Sequence, residues 1–283
     1  MEKNTQCLVQ ACEALKLHYQ FLDADQTLLK VSFPWGAEYF PLNRTPFNNE
    51  AAFAICRDKK YSYDLLHNVV KMPKTLAYMD INVRETYQGY RAFTTLEAIA
   101  TDVMNQLPLP CIIKPNASAL GRQVSLCHSH GDIVQALSSI FDQQSKEYDY
   151  IALAQSFISN KAEFRLVCAF GESVFAYRRG FAEGFNARYW EQGENPEQVT
   201  DVDTLERLHT FIKPIYDHLQ LGFAGFDIMV DQFDELHLIE LNSSPRFNHI
   251  TKDNDISPVV KMYQRVLTLY MNKHSINNQI IAQ

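Results

Sequence analysis

A β-hairpin predicted between residues 225 and 247 constrains the fold of this chain more than any other feature of the sequence. Two apolar-rich runs, residues 226–231 and 236–241, flank residues 232–235, whose Gln-Phe-Asp-Glu composition suits a turn. Four-residue loops are among the commoner hairpin connections. A loop of this length pairs Asp231 with Leu236 and makes the two runs antiparallel neighbours.

Three side chains that carry oxygen atoms converge on one face of this hairpin. Counting back from the loop places Asp227 directly across from Glu240, and paired residues on one face have Cβ atoms about 5 Å apart. Asn242 projects from the same face, because side chains alternate along a strand. Two carboxylates so close repel one another unless a cation or a proton lies between them. Clusters of hard oxygen ligands suit Mg²⁺, which binds one or two carboxylates together with substrate phosphates.

The alternative to a metal site is a half-exposed hairpin whose outer face happens to be acidic. Against this alternative, the second strand runs directly into residues 242–245 (Asn-Ser-Ser-Pro), which begin a loop. Apolar side chains are also expected on both faces, so that neither face is freely solvated. We expect Phe226, Ile228, Val230, Ile239 and Leu241 on the face opposite the carboxylates, and Met229, Leu236 and Leu238 beside the carboxylates.

The order of these residues resembles a known family. Gly-x-Asp at residues 225–227, followed by Glu-x-Asn-x-x-Pro at residues 240–245, resembles the metal-binding end of the ATP-grasp ligases. It is most similar to the branch that contains the ribosomal-protein glutamate ligases, the glutathione synthetases and the cyanophycin synthetases. The resemblance runs from about residue 20 to about residue 265. It implies an α+β (α/β) protein with the ATP-grasp fold, in which two α+β subdomains grip the nucleotide.

Length and composition are compatible with this interpretation. A chain of 283 residues can form one large domain or two to three small subdomains. Its net charge of −7 argues against a nucleic-acid groove or an anionic membrane as the principal partner. Neither a bilayer-spanning apolar run nor a signal-peptide core is evident. The six cysteines occur singly, which favours reduced thiols and a cytoplasmic location.

The order of the predicted elements divides the chain into four units. Residues 1–47 form a reduced N-terminal α/β segment, because the family usually carries a fuller domain there. Residues 48–93 form a helical linker, residues 94–158 the ATP-grasp lid subdomain, and residues 159–283 the C-terminal subdomain with the metal site. An N-terminal segment this small also suggests a homodimer that completes the site, as an alternative to a monomer.

Lys114 ends a predicted strand and leads into a loop of small residues. An ammonium beside closely approaching backbone N–H groups can clamp phosphate, although a strand-end lysine taken alone is more often solvated surface. The resemblance implies that Lys114 contacts the nucleotide phosphates, that the loop with Ser118 and Gly121 folds over them, and that Lys59 is the second nucleotide-contacting lysine. The loop is poor in glycine, and Gln123 stands where glycine is frequent in the family.

Residues 154–158 resemble the hinge that recognises adenine through backbone groups. The resemblance assigns Gln155, Phe157 and Ile158 to this hinge, and it places the acidic residue Glu163 beside the nucleotide. Ser156 departs from the family, because many relatives have an acidic residue at this position. The alternative for this strand is an ordinary place in the core.

A second predicted hairpin carries a basic cluster. A two-residue loop at residues 171–172 pairs Arg165 with Arg178, and like charges directly opposite one another are unfavourable unless an anion bridges them. The resemblance instead favours Arg165 together with Arg179, and a β-bulge would reconcile the two alternatives. An exposed basic edge remains a further alternative. Two additional candidates for substrate contacts follow the hairpin: Asn186 and Arg188.

The resemblance implies an enzyme that joins a carboxylate to an amine. ATP and Mg²⁺, with Mn²⁺ as the alternative ion, are the expected cofactors, and small molecules or peptides are the expected substrates. An acylphosphate would form first, and an amine would capture it as an amide, with Arg165 and Arg179 as the catalytic residues. Three alternatives stay open: a kinase with the same nucleotide site, a non-catalytic nucleotide-binding module, and a ligase that extends a protein tail.

Overall fold

The computed structural model describes residues 1–180, 185, 195–252 and 255–281. Within these residues the chain forms three antiparallel sheets, which together with the surrounding helices make a mixed α+β protein. The predicted fold class is therefore confirmed. None of the helices in this part of the chain combines the length and the apolar character that crossing a bilayer requires.

The N-terminal segment contains one helix and a small sheet. Helix α1 (Lys3–Ala14) is followed by strands β1 (Tyr19–Phe21), β2 (Leu28–Phe33) and β3 (Gly36–Pro41), which pair in sequence order. Two short helices follow, α2 (Glu50–Arg57) and α3 (Lys59–Leu66). Asp58 caps the second of these helices, as its sequence position predicts, by accepting a hydrogen bond of 2.9 Å from the backbone N–H of Tyr61.

A four-stranded sheet forms the middle of the chain. Its strands are β4 (Thr75–Met79), β5 (Cys111–Pro115), β6 (Ser125–Cys127) and β7 (Ile151–Ser156), in the order β4-β7-β5-β6. Helices α4 (Leu96–Gln106) and α5 (His130–Ile140) bury their apolar sides against it. Strand β4 belongs to this sheet although it lies in the segment 48–93, where the sequence predicts a helical linker. The four-unit division of the chain otherwise stays a prediction.

A five-stranded sheet carries the predicted metal hairpin. Its strands are β8 (Asn160–Ala169), β9 (Glu172–Arg178), β10 (Glu197–Gln198), β11 (Phe223–Asp231) and β12 (Leu236–Asn242), in the order β10-β9-β8-β11-β12. Helix α6 (Val202–Ile212) packs on one face together with α2 and α3. Helices α1 and α8 (Ser257–Ile281) pack on part of the other face, and the short α7 (Asn248–Thr251) precedes α8.

The metal hairpin has the predicted pairing at its functional end, but a different register near its loop. Asp227 lies opposite Glu240, as the sequence predicts. The predicted pairing of Asp231 with Leu236 is wrong, because Val230 pairs with Leu236 and the loop is one residue longer. A β-bulge beside Asp227 compensates for the longer loop and restores the predicted register beyond it.

The same bulge corrects the predicted faces of the hairpin. Leu238 pairs with Ile228 and lies fully buried in the core behind the sheet, so its predicted place beside the carboxylates is wrong. Ile239 is the extra residue of the bulge, and it lines the cavity on the carboxylate side. A one-residue shift of this kind moves a side chain from one face of a sheet to the other.

A second bulge changes the register of the basic hairpin. The loop consists of Phe170 and Gly171, which have φ angles of 52° and 90°, rather than of residues 171–172. Arg165 pairs with Tyr177, so the predicted pairing of two like charges is wrong. The bulge at residues 167–168 lies between the loop and this pair.

Asn48 connects the N-terminal segment to both strands of the metal hairpin. Its side-chain oxygen accepts a hydrogen bond of 2.8 Å from the N–H of Gly222, and its amide donates to the carbonyl oxygens of Phe223 (2.7 Å) and Ser243 (3.1 Å). This close approach requires glycine, since a Cβ atom at residue 222 would lie 2.0 Å from the carbonyl oxygen of Phe47.

We therefore expect Gly222→Ala to reduce the free energy of unfolding by about 1–3 kcal/mol or more, because backbone must move to admit the methyl group. Chemical denaturation followed by circular dichroism measures this change. Gly89→Ala is the matched control, since no atom lies within 4 Å of its added Cβ, and we expect it to change stability by less than about 0.5 kcal/mol. Equal stability of the two variants would contradict the tight contact at Phe47.

Candidate active site

A cavity of about 1170 Å³ is lined by residues of the four-stranded and five-stranded sheets. Every site residue that the sequence analysis names within the described part of the chain lines it, although the role of each stays a prediction. These residues are Lys59, Lys114, Ser118, Gly121, Gln155, Phe157, Ile158, Glu163, Arg165, Arg179, Asp227, Glu240 and Asn242. Asn186 and Arg188 lie outside the described residues.

Asp227 is the centre of the charged side chains in this cavity. It is buried on strand β11, between Arg165 on β8 and Glu240 on β12. Arg165 donates two hydrogen bonds to its carboxylate, from Nε to Oδ1 (2.6 Å) and from an Nη atom to Oδ2 (2.7 Å). Arg179 and Asn242 donate to the same Oδ2 atom at 3.2 Å and 3.4 Å. The structure therefore brings Arg179 to the carboxylate, while the side chain of Arg178 is exposed.

These contacts explain the state of the buried charges. Burial alone would raise the pKa of Asp227, but the neighbouring Arg165 and Arg179 hold that pKa below its usual value. Burial would likewise lower the pKa of Arg165, but the charge of Asp227, together with Tyr177 and the hydrogen bonds to Asp227, raises that pKa above its usual value. Arg179 also forms an ion pair with Glu163. Asp227 and both arginines are therefore charged together at neutral pH.

Gly225 is required beside this ion pair. It lies two residues before Asp227 on the same strand and therefore on the same face. A Cβ atom at residue 225 would lie 3.0 Å from Cβ of Pro245 and 3.6 Å from Cδ of Arg165. The absence of a side chain thus leaves room for Pro245, which is a physical reason for the Gly-x-Asp spacing.

The carboxylates can accept a divalent cation. A carboxylate has about four lone-pair sites, and among the described residues Oδ1 of Asp227 accepts a hydrogen bond from Arg165 only, which leaves a site on it for a cation. Within the same part of the chain, the one ion-pair partner of Glu240 is Lys59, whose Nζ lies 3.6 Å from Oε1. With the amide oxygen of Asn242 these groups form a set of hard oxygen ligands that fits Mg²⁺.

Two lysines stand close to these oxygen ligands. Lys59 donates to the carbonyl oxygen of Ser118 (2.6 Å) and so connects Glu240 to the small-residue loop. Lys114 is buried, and its Nζ donates to Oε1 of Gln155 at 2.9 Å. Burial, and next the charge of Lys59, lower the pKa of Lys114 to about 8. Lys114 is thus a cation that gains stability when an anion enters the cavity.

The small-residue loop adopts left-handed backbone at three positions. Gly121 has a φ of 61°, which glycine adopts without steric cost. Leu120 and Gln123 have φ angles of 62° and 52°, which are unfavourable for residues with a Cβ atom. The backbone geometry at residue 123 therefore favours glycine, which is frequent at this position in the family that the sequence resembles. The amide of Gln123 donates to the carbonyl oxygen of Ser139 (2.9 Å), which holds the loop in this conformation.

Several cavity residues were missed by the sequence analysis. Asn43 and Arg44 come from the N-terminal segment, Phe53 from helix α2, and Arg246 and His249 follow the metal hairpin. Arg246 could have been identified, because it directly follows the Glu-x-Asn-x-x-Pro motif. No local pattern marks the N-terminal residues, since they reach the cavity through long-range contacts. Burial, and next the charges of Arg179 and Arg165, lower the pKa of His249 to about 4.

Comparisons with known proteins agree with this geometry. The family model described as the RimK-like ATP-grasp domain matches residues 57–266. The D-alanine–D-alanine ligase of Phocaeicola vulgatus is 26% identical over 156 residues, which cover 51% of this chain and 45% of that ligase. The match thus spans less than half of that relative's length.

Solved structures of low sequence identity share the fold. The D-alanine–D-alanine ligase of Bacillus anthracis is 17% identical, with a TM-score of 0.55 over 83% of this chain and 72% of that one. The bifunctional glutathione synthetase of Pasteurella multocida is 14% identical, with a TM-score of 0.54 over 93% of this chain and 43% of that one. The predicted ATP-grasp fold is confirmed. The family model covers most of the length of this chain, and the chain therefore belongs to the RimK-like ATP-grasp family.

Proposed function

We propose that this protein is an ATP-dependent, ADP-forming ligase that joins a carboxylate to an amine on amino acid or peptide substrates. The observation that carries the proposal is the convergence of Asp227, Glu240 and Asn242 with Lys59 and Lys114 in one cavity of an ATP-grasp protein. The D-alanine–D-alanine ligase among its relatives supports the same class of reaction. The buried free cysteines support the cytoplasm as its location.

Asp227, Glu240 and Asn242 would hold Mg²⁺, with Mn²⁺ as the alternative ion. Bound there, the ion supplies positive charge that offsets the negative charge of the nucleotide phosphates. When Glu240 takes up this role, its ion pair with Lys59 at 3.6 Å can be exchanged, because that distance is longer than a hydrogen bond. Before the ion binds, Lys59 thus balances the charge of Glu240.

Lys59 and Lys114 would bind the phosphates, and the loop with Ser118 and Gly121 would cover them. Lys59 already contacts both this loop and Glu240, so one side chain couples the covering loop to the metal ligands. At the other end of the nucleotide, the backbone after Gln155 would recognise adenine. The side chains of Phe157 and Ile158 line the cavity there and would pack against the base.

Arg165 and Arg179 would stabilise the reacting groups. The substrate carboxylate attacks the γ-phosphorus of ATP and forms an acylphosphate as ADP leaves; the amine then attacks the acyl carbon, phosphate leaves, and an amide remains. Negative charge develops on the acyl oxygen during the second step. Arg165 uses two of its five N–H groups on Asp227 and retains three others for a substrate. Closure of the loop would keep water from the acylphosphate.

The proposal predicts ADP release that depends on both substrates. We expect Mg²⁺-ATP to stabilise the fold by about 2.7 kcal/mol at a hundredfold excess over its dissociation constant. ADP release with pooled amino acids and short peptides, followed by mass spectrometry, should identify an amide. A phosphorylated product without an amide would indicate a kinase. A melting curve that millimolar Mg²⁺-ATP leaves unmoved would contradict nucleotide binding altogether.

Lys114 predicts how nucleotide affinity depends on pH. Its pKa of about 8 means that the ammonium loses its proton as the pH rises through 8, whereas bound phosphate favours the charged form. We therefore expect the affinity for Mg²⁺-ATP to fall about tenfold per pH unit above this value. Calorimetry in buffers of different ionisation enthalpy should detect proton uptake on binding near pH 8.

The matched control for this experiment is Lys114→Met, which keeps the length of the side chain and removes the titrating group. It should bind nucleotide weakly at every pH, while circular dichroism shows a preserved fold. If wild-type affinity stays constant between pH 7 and pH 10, Lys114 does not contact the phosphates.

Glu240→Gln separates catalysis from folding. The substitution keeps the shape of the side chain but removes its charge and an ion pair that is partly exposed, so stability should change by less than about 1 kcal/mol. Amide formation should fall by about 10²-fold or more, because a metal ligand and its charge are lost.

Glu235→Gln is the control for this substitution, because Glu235 also pairs with a lysine, Lys71, but lies outside the cavity. It should retain wild-type activity. Near-normal activity of Glu240→Gln would remove the metal site and, with it, the main support for a ligase.

A further inference from the structure

The row of charged side chains in the cavity continues onto a fourth strand, where it reaches a tyrosine. Asp227 on β11 pairs with Glu240 on β12 and with Arg165 on β8. Arg165 in turn pairs with Tyr177 on β9. Directly paired residues lie on the same face of a sheet, with Cβ atoms about 5 Å apart. Tyr177 therefore stands beside Arg165, on the side away from Asp227.

The place of Tyr177 in its strand is the boundary between the apolar core and the site. Side chains alternate along a strand, so Phe175, Tyr177 and Arg179 share one face of β9. Phe175 packs in the core with α1 and α8, whereas Arg179 lines the cavity. The ring of Tyr177 belongs to the same core, with its centroid 5.8 Å from that of Phe175. Tyr177 thus brings one polar group, its hydroxyl, to this boundary.

The hydroxyl of Tyr177 has no hydrogen-bond partner among the described residues. The residue is 0% exposed, so bulk water does not take the place of that partner. A buried polar group without a partner costs free energy, and proteins retain few of them. Of the buried side-chain atoms that lack a partner in the described part of the chain, this hydroxyl is the one whose residue pairs directly with a charged residue of the site.

The guanidinium of Arg165 already interacts with this phenol and has hydrogen-bond donors to spare. Burial lowers the pKa of Arg165, but its interactions with Asp227 and next with Tyr177 raise that pKa. Arg165 donates to Asp227 from Nε and from one Nη atom, so three of its five N–H groups remain. A neutral acceptor without a partner therefore lies next to a cation with unused donors.

A cation bound to Asp227 would weaken the present contacts of Arg165. Oδ1 of Asp227, which has a site left for a cation, is also the atom that accepts from Nε of Arg165 at 2.6 Å. Two positive charges this close repel one another strongly in a buried site. Because Arg165 is itself buried, a hydrogen bond that it loses from Asp227 has to be replaced by a protein group rather than by bulk water.

We propose that Tyr177 is a positioning residue, whose hydroxyl accepts a hydrogen bond from Arg165 when a divalent cation binds Asp227. The inference rests on the proposed function and adds a residue to its metal site. A neutral acceptor suits this role, because a carboxylate in its place would itself attract the cation. Arg165 thereby keeps its position for the substrate while Asp227 shares its charge with the metal. No covalent step is involved, and both residues keep their protons.

Tyr177→Phe tests the proposal, because it removes the hydroxyl and keeps the ring. Without ligand, the variant should melt at the wild-type temperature or up to about 4 °C above it, since a buried hydroxyl without a partner is removed. Metal binding should change in the opposite direction. Calorimetry compares the non-hydrolysable analogue AMP-PNP in EDTA with the same analogue in excess Mg²⁺. The affinity in EDTA should be unchanged, whereas the gain in affinity that Mg²⁺ provides should fall about tenfold or more, as for a hydrogen bond to a charged group.

Tyr216→Phe is the matched control, because Tyr216 packs against the core on the opposite face of the same sheet. It should leave the gain in affinity from Mg²⁺ at the wild-type value. Tyr177→Met, which fills the site with a flexible apolar side chain, is the second variant if Tyr177→Phe does not fold. It should show the same loss of the Mg²⁺ effect.

Two results would overturn the proposal while leaving the proposed function intact. One is a Tyr177→Phe protein that melts below the wild type without ligand, which would make the hydroxyl part of the resting structure. The other is an unchanged gain in affinity from Mg²⁺ in this variant. Equal binding of AMP-PNP by the wild type in EDTA and in Mg²⁺ would contradict the metal site, and this inference with it. Metal-dependent binding without amide formation would contradict the ligase activity alone.

Discussion

The site depends on a single row of charged side chains across three adjacent strands. Arg165 on β8, Asp227 on β11 and Glu240 on β12 stand on one rung of the sheet. Side chains alternate between the two faces of a strand, so a slip of one residue would send one of these charges into the apolar core. The rung therefore constrains the register of these three strands, and the three register irregularities of the sheet lie outside it.

Burial makes the pair of Asp227 and Arg165 within this row mutually dependent. Asp227 is 3% exposed and Arg165 is 8% exposed, and removing one member of a buried pair leaves an uncompensated charge. The carboxylate has further partners in Arg179 and Asn242, so the site is electrostatically satisfied before any ligand enters. Binding a cation then means an exchange of partners within a fixed frame rather than the formation of a new one. Such preorganisation reduces the rearrangement that binding and catalysis require.

The sequence was sufficient to predict the family and the fold class, because the motifs that carry the resemblance are local. Strand alternation also placed Asp227, Glu240 and Asn242 together, whereas several other residues that line the cavity were missed. The details of register were not predictable. The predicted pairing of Asp227 with Glu240 was right, although the predicted loop was one residue too short. The β-bulge adds one residue to the second strand and so compensates for the longer loop. The bulge at Ile239 allows Leu238 to pack in the core, and no local sequence pattern marks it. Asn48 could not be predicted for a related reason, because its partners lie far away in the sequence.

The two ends of the cavity are consequently built in different ways. The nucleotide end consists of strands and loops that carry the family's own motifs, and the contact between Lys59 and Ser118 couples them. The other end is assembled from the N-terminal segment and the residues after Asn242, through hydrogen bonds such as that between Asn43 and Ser244. The hydrogen bonds of this second end run to backbone atoms of Ser243, Ser244 and Phe247, not to the charged side chains of the rung. This end and the rung are therefore held by separate sets of contacts.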